Sequence, residues 1–136
     1  PKSGTTWLKG LMYALVNRAS QSPGGLDHPL LKVSPHELVP FLEHDVYVDH
    51  QVPDHISMLP SPRVFSTHLA FGSLPRSMRE TGCKIVYLCR DPKDTFISLW
   101  HFVNKLMPQH KEKISLEEAF DKFCRGVSVK GPFWDH

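Results

Sequence analysis

The sequence predicts an α/β domain, helices flanking a parallel sheet, and three segments predict it. An opening loop runs straight into a helical stripe at residues 5–18. A short strand-like segment follows at 63–67. A second strand-like run at 84–89 leads directly into another helix. In such sheets ligands gather at the carboxyl ends of strands, and three places of that kind stand out: the opening loop, His68 and the turn at Arg90.

The first helix is expected from Thr5 to Arg18, with Trp7, Leu8, Leu11, Met12, Leu15 and Val16 spaced by three and four on one apolar face. Gln21-Ser22-Pro23-Gly24-Gly25 ends it. From His28 to Pro62 the chain is rich in Pro and His and reads as loop, with a short helix expected within residues 35–42. Arg63 to Thr67 is partly β-branched and reads as a strand with His68 at its end. Lys84 to Cys89 is nearly continuous in apolar residues, as a central strand buried on both faces requires. Asp91 then caps a helix with Pro92 at its first position and Pro108 beyond its end near Leu106. Ser115 with Glu118 forms a capping box that opens a last helix, Leu116 to Cys124.

A length of 136 residues fits one domain, 1–136. The chain opens inside a loop and closes on the aromatic cluster Phe133-Trp134, so we expect a partial domain with a sheet incomplete at both ends. Apolar residues at 40% and charged residues at 22% are ordinary for a globular protein, and no apolar run is long enough to span a bilayer. A net charge of +2 is too small to argue for nucleic acid or a membrane surface as partner. The three cysteines form no paired framework, and Cys83 and Cys89 bracket the apolar run, where buried thiols are expected. That usage suits a reducing compartment, hence the cytoplasm.

Lys2-Ser3-Gly4-Thr5-Thr6-Trp7 supplies a cation, a glycine that admits close approach and two hydroxyls at a helix N-terminus, where unpaired amides and the helix dipole attract anions. It departs from the GxxxxGK[ST] loop because Lys2 precedes Gly4. The plainer alternative is a Thr-capped helix behind a Gly turn. Arg90, ending the apolar run, and Ser98, two turns into the next helix, suit a second phosphate, or else an ordinary ion pair of Arg90 with Asp91 or Asp94. His68 can serve as general base, or can simply be structural, being one of nine histidines.

Taken together, the residues from Pro1 to Trp7 resemble the 5′-phosphosulfate loop of the cytosolic sulfotransferase family. Thr67-His68-Leu69 with Leu74-Pro75 resembles its catalytic-histidine segment, and residues 86–94 with Ser98, Trp100 and Phe102 resemble its 3′-phosphate segment. Pro35 to Phe41 and Gly131-Pro132-Phe133-Trp134 look like plant members, which links the chain to plant secondary metabolism. The resemblance implies a P-loop-like fold and 3′-phosphoadenosine 5′-phosphosulfate (PAPS) as donor, with no metal. It implies Lys2 at the bridging oxygen, Ser3, Gly4, Thr5 and Thr6 around the 5′-phosphosulfate, and Trp7 on the adenine. Arg90 and Ser98 would hold the 3′-phosphate, Ser98 would restrain Lys2, and His68 would deprotonate the acceptor hydroxyl. Ser66 stands where many animal members have Lys, and Ala70 where Pro is common.

The acceptor is expected to be a small, largely apolar alcohol or phenol of the flavonoid, brassinosteroid, hydroxyjasmonate or desulfoglucosinolate kind, with Phe41, Phe71 and Phe102 as candidate pocket residues. The family's later adenine-binding and dimerisation segments would lie beyond residue 136, so the 136 residues alone are expected to be inactive and the intact parent a homodimer. Two rival readings remain at this point. A small-molecule kinase would use Asp91 as a magnesium-site acid, and a metal module would use Glu43-His44-Asp45, Asp49-His50 and Asp54-His55.

Overall fold

Gly4 adopts a left-handed backbone, φ 113° and ψ 23°, a conformation open to glycine at little cost, and helix α1 (Thr5–Val16) starts immediately after it. The computed structural model describes residues 1–22, 24–46, 54–59 and 61–136, the His55 side chain excepted. These residues form two compact units, Gly4–His68 on the one hand and Pro1–Ser3 with Leu69–His136 on the other.

In the Gly4–His68 unit, α1 turns a different face inward from the one its apolar spacing predicts. Trp7 is 81% exposed, Leu11 and Leu15 are exposed too, and the residue that is buried is Lys9 at 3%. Packing decides this. Helix α2 (Pro35–Leu38) lies against α1, and a Cβ on Gly10 would stand 3.7 Å from the Pro35 ring and 3.9 Å from Leu30. The one residue without a side chain therefore marks the contact face, and Lys9 comes with it. Periodicity identifies a helix; it does not tell which face the rest of the fold covers.

Helix α2 begins where Ser34 accepts the His36 amide at 3.3 Å with Pro35 at the first position. It ends at Leu38, shorter than the expected 35–42, because Val39 is extended (φ −125°, ψ 97°) and Pro40 follows. The chain then makes a wide turn at Leu42–Val46. The expected strand at 63–67 is reduced to one parallel bridge, Phe41 with Ser66, held by Leu42 N–H to Ser66 O and Ser66 N–H to Pro40 O, both 2.9 Å. Val39, Leu42, Val46 and Ile56, the last in helix α3 (Asp54–Ser57), are buried here.

The second unit contains helices α4 (Arg76–Glu80), α5 (Pro92–Leu106) and α6 (Leu116–Cys124). The last two have the expected bounds, and their caps are formed. The Asp91 carboxylate accepts the Lys93 amide at 2.8 Å, and the Ser115 hydroxyl accepts the Glu118 amide at 3.1 Å. The capping box is only half made, since the Glu118 carboxylate turns to Lys122 one turn on. Asn104 clamps the connection between the helices: its Oδ1 accepts from Ile114 N–H at 2.9 Å, and its Nδ2 donates to Ile114 O at 3.0 Å. Phe96, 7% exposed, centres the packing, with Phe120 and Phe123 at ring distances of 5.5 and 5.3 Å.

The segment Lys84–Cys89 departs from expectation. It carries no regular secondary structure and is exposed throughout, Tyr87 at 66%. A strand is defined by its partner's amides and carbonyls, so β-branched residues do not make one where no neighbouring strand is present. Cys83 and Cys89 are correspondingly exposed free thiols, not the buried ones expected, and Cys124 at the end of α6 is an exposed free thiol too. Among the described residues no β-strand forms beyond the single bridge.

Replacing Phe96 with Ala in the full-length protein carrying this chain should cost about 3–4 kcal/mol, because the ring is buried against two others that cannot collapse fully into its space. Urea denaturation of the two proteins measures it.

Candidate active site

Backbone conformation sets the opening residues apart. Lys2 sits at φ 63° and Gly4 at φ 113°, two left-handed residues on either side of Ser3. Gly4 offers no side chain to cap α1, so no side-chain oxygen takes up the first-turn amides of a helix 12 residues long. Such an end attracts a phosphate-like group through its dipole and its N–H groups. Trp7, largely exposed, presents its indole on the first turn, and Thr5 and Thr6 supply hydroxyls.

Lys2 and Ser3 belong to the same unit as Arg90, Ser98 and Phe102, and there the separated segments meet. The Arg90 guanidinium donates to the Lys2 carbonyl at 3.5 Å, across 88 positions of sequence. Its other nitrogen pairs with Asp94 at 3.3 Å, so the ordinary ion pair weighed from the sequence is present. Both partners are substantially exposed and the pair is correspondingly weak. The Lys2 ammonium lies 4.2 Å from the Phe102 ring centroid, a cation–π contact. Ser98 is half-buried on α5. Asp91 is spent on its helix cap, which is the role expected of it in preference to a metal-site acid.

His68 closes the other unit. It is half-buried; its backbone N–H donates to Glu43 Oε1, and its ring lies 5.2 Å from that of Phe41, tilted by 45°. Phe41 is heavily engaged: His36 stacks on it at 5.7 Å, His44 meets it edge-on at 5.9 Å, and the Lys9 ammonium sits 3.3 Å from its centroid. These contacts give Phe41 a packing role within this unit. Phe71 stands exposed on a short turn, Phe71–Ser73.

Sequence reasoning passed over Lys9 and raised Glu43 only as a metal ligand. The signal for Lys9 was a cation beside the only glycine of α1, and for Glu43 an acid immediately after Phe41-Leu42. Lys9 Nζ donates to Val39 O at 2.7 Å. Burial lowers its pKa from the ordinary 10.5 to about 8, while the carboxylates of Asp45 and Glu43 pull in the opposite direction. Burial first, and the Lys9 charge second, also hold the His36 pKa below its usual value. His36 in turn shares a 3.0 Å hydrogen bond between its Nε2 and the Thr6 hydroxyl.

Two acids of the metal reading each accept a backbone amide. Glu43 takes the His68 amide and Asp45 the Phe41 amide at 2.6 Å, while Asp49 and His50 lie outside the described residues. Among the described residues no three His, Cys, Asp or Glu side chains gather as a metal site would require, and no helix is long and apolar enough to cross a membrane.

Within one unit an arginine folds back onto the opening loop, and within the other a carboxylate accepts the backbone N–H of His68. The sulfotransferase-domain family model matches residues 1–136, and the chain belongs to that family. It is 50% identical over 138 residues to Cytosolic sulfotransferase 15 of Arabidopsis thaliana, covering 100% of this chain and 38% of that protein. Cytosolic sulfotransferase 12 of the same plant is 52% identical over 139 residues, covering 100% of this chain and 41% of that protein. The crystal structure of an Arabidopsis thaliana putative steroid sulphotransferase superposes with a TM-score of 0.79 at 51% identity, covering 100% of this chain and 45% of that one. The chain thus spans about two fifths of the length of the curated relatives it matches.

Because the Lys9 pKa is lower folded than unfolded, the folded protein sheds that proton first, and the stability lost to burying the charge returns as pH rises from about 8 to 10.5. Relative to Lys9→Met, the wild-type full-length protein should gain on the order of 1–3 kcal/mol between pH 7.5 and 10. Denaturant titration of both proteins at the two pH values checks this, and a constant difference would contradict it.

Proposed function

We propose that the full-length protein is a cytosolic sulfotransferase that moves the sulfuryl group of PAPS to a hydroxyl of a small organic acceptor. The observation that carries this reading is the match of one sulfotransferase family model to all of residues 1–136, over a chain whose Arg90 folds back onto Lys2. In this reading residues 1–136 are part of one domain, and Lys84–Cys89 becomes a strand of a parallel sheet once its neighbours are present.

The residues fit the donor's chemistry. Lys2, Ser3, Gly4, Thr5, Thr6 and the α1 amides would surround the 5′-phosphosulfate, and Trp7 would stack on the adenine. Arg90 would exchange its exposed Asp94 partner for the 3′-phosphate, with Ser98 adding a hydroxyl. PAPS supplies the electrophilic sulfur. His68 would take the acceptor's hydroxyl proton as the oxygen attacks, the S–O bond to the nucleotide phosphate breaks, and Lys2 would stabilise the charge that develops on that phosphate. The products are a sulfate ester, adenosine 3′,5′-bisphosphate and a protonated imidazole. A sulfuryl group carries less charge than a terminal phosphoryl, so no bridging metal is required.

We assign the acceptor to small, largely apolar plant alcohols and phenols, a range that includes steroids and flavonoids. This draws on the plant relatives and on the steroid sulphotransferase named above. No nucleic acid or membrane enters the scheme, and two copies are expected to associate.

In the full-length protein His68→Ala should lower turnover by at least about 100-fold while the affinity for adenosine 3′,5′-bisphosphate stays within about twofold, read by radiolabelled sulfate transfer and calorimetry. Arg90→Ala should instead weaken nucleotide binding by about 10–100-fold, the value of a charged phosphate contact. Full turnover in the first variant, or unchanged nucleotide affinity in the second, counts against the assignment.

A further inference from the structure

The transfer chemistry makes no use of Lys9, yet few residues of the Gly4–His68 unit are so deeply buried or so costly to bury. Its ammonium has three kinds of partner. It donates to Val39 O at 2.7 Å, where α2 gives way to extended chain, and it lies 3.3 Å from the centroid of Phe41. The carboxylates of Asp45 and Glu43 are close enough to favour its charge.

Two of these partners also hold His68. The Phe41 ring packs against the imidazole at 5.2 Å, and Glu43 Oε1 accepts the His68 backbone N–H. The second Glu43 oxygen, Oε2, is buried with no hydrogen-bond partner among the described residues, a place where an unpartnered polar atom is costly and a neighbouring cation is favourable. The bridge between Phe41 and Ser66 ties the same two stretches along the backbone, and the Ser66 hydroxyl adds a bond to Pro40 O at 3.2 Å. Towards the loop, Phe41 stacks on His36, and His36 is bonded to Thr6 on the first turn of α1. One cation thus contacts the ring beside the imidazole and is drawn to the acid under its backbone, and it does so from helix α1.

We propose that Lys9 is a positioning residue, whose ammonium, acting through Phe41 and Glu43, holds the His68 imidazole in register with the helix that begins at the phosphosulfate loop. The inference rests on the reading of His68 as the general base. Lys9 touches neither donor nor acceptor in this role, so its loss acts on the chemical step and spares nucleotide binding.

The test uses the full-length protein and compares Lys9→Met, Lys9→Arg, Glu43→Gln and His68→Asn, with turnover counted per adenosine 3′,5′-bisphosphate site. Lys9→Met is expected to lower kcat by about 10–100-fold, since a displacement of the order of 1 Å at a reacting group costs that much. The KM for PAPS and the bisphosphate Kd should remain within about twofold, and Lys9→Arg should recover most of the loss by restoring the cation. A merely structural role lowers the melting temperature and the number of binding sites but leaves turnover per site intact, and that result overturns the proposal. Should Lys9→Met fail to fold, Glu43→Gln decides: a matching kcat loss supports the inference, and wild-type turnover rejects it. His68→Asn separates the two levels. If it is inactive while the Lys9 and Glu43 variants turn over normally, only the positioning role falls; if it turns over normally, the base assignment falls as well.

Discussion

A charge inside a small core constrains everything packed around it. Lys9 is an ammonium at 3% exposure, and the amino-terminal unit is arranged to make that tolerable: a carbonyl released where α2 ends, the face of an aromatic ring, and two carboxylates. Each of those partners is thereby fixed. Val39 must leave helical geometry to offer its carbonyl, Phe41 must turn a face towards α1, and the turn at Leu42–Val46 must bring Glu43 and Asp45 round. Gly10 permits the closeness on which all of this relies. The buried cation is therefore a weak source of stability, since the cost of removing it from water offsets much of what its partners return.

The second unit follows a different logic, in which local rules suffice. Helices α5 and α6 were legible to the residue because what bounds them lies within a few positions: Asp91 and Pro92 at one start, Ser115 at the other, and Pro108 beyond the first. The aromatic cluster around Phe96 then packs helix against helix with partners close in sequence. Lys84–Cys89, expected as a strand and irregular here, differs for the converse reason. Its composition states what the segment would do beside another strand, and that neighbour is a non-local fact no window of residues contains. The same dependence turned the cysteines outward and reassigned the face of α1.

The candidate site was legible in a similar, uneven way. Lys2 to Trp7, Arg90 and Ser98 could be singled out because cation, glycine and hydroxyl near a helix start form the pattern expected of an anion site. The return of Arg90 onto the Lys2 carbonyl could not, since 88 residues separate them. Nor could the pairing of Glu43 with His68, because a carboxylate in a polar stretch gives no hint that it will accept one particular backbone amide.

The backbone at Lys2 has a further consequence for how substitutions there are interpreted. With φ at 63°, Lys2 is the one non-glycine residue with positive φ among the described residues, and every side chain but glycine's is conformationally taxed at that point. Exchange for glycine would remove the amine and relax the main chain together, so its effect on rate would mix two causes of opposite sign. A β-branched residue would aggravate the strain and distort the turn that Gly4 completes. Only a straight-chain replacement such as methionine, which retains the torsional cost while deleting the charge, isolates what the amine itself contributes.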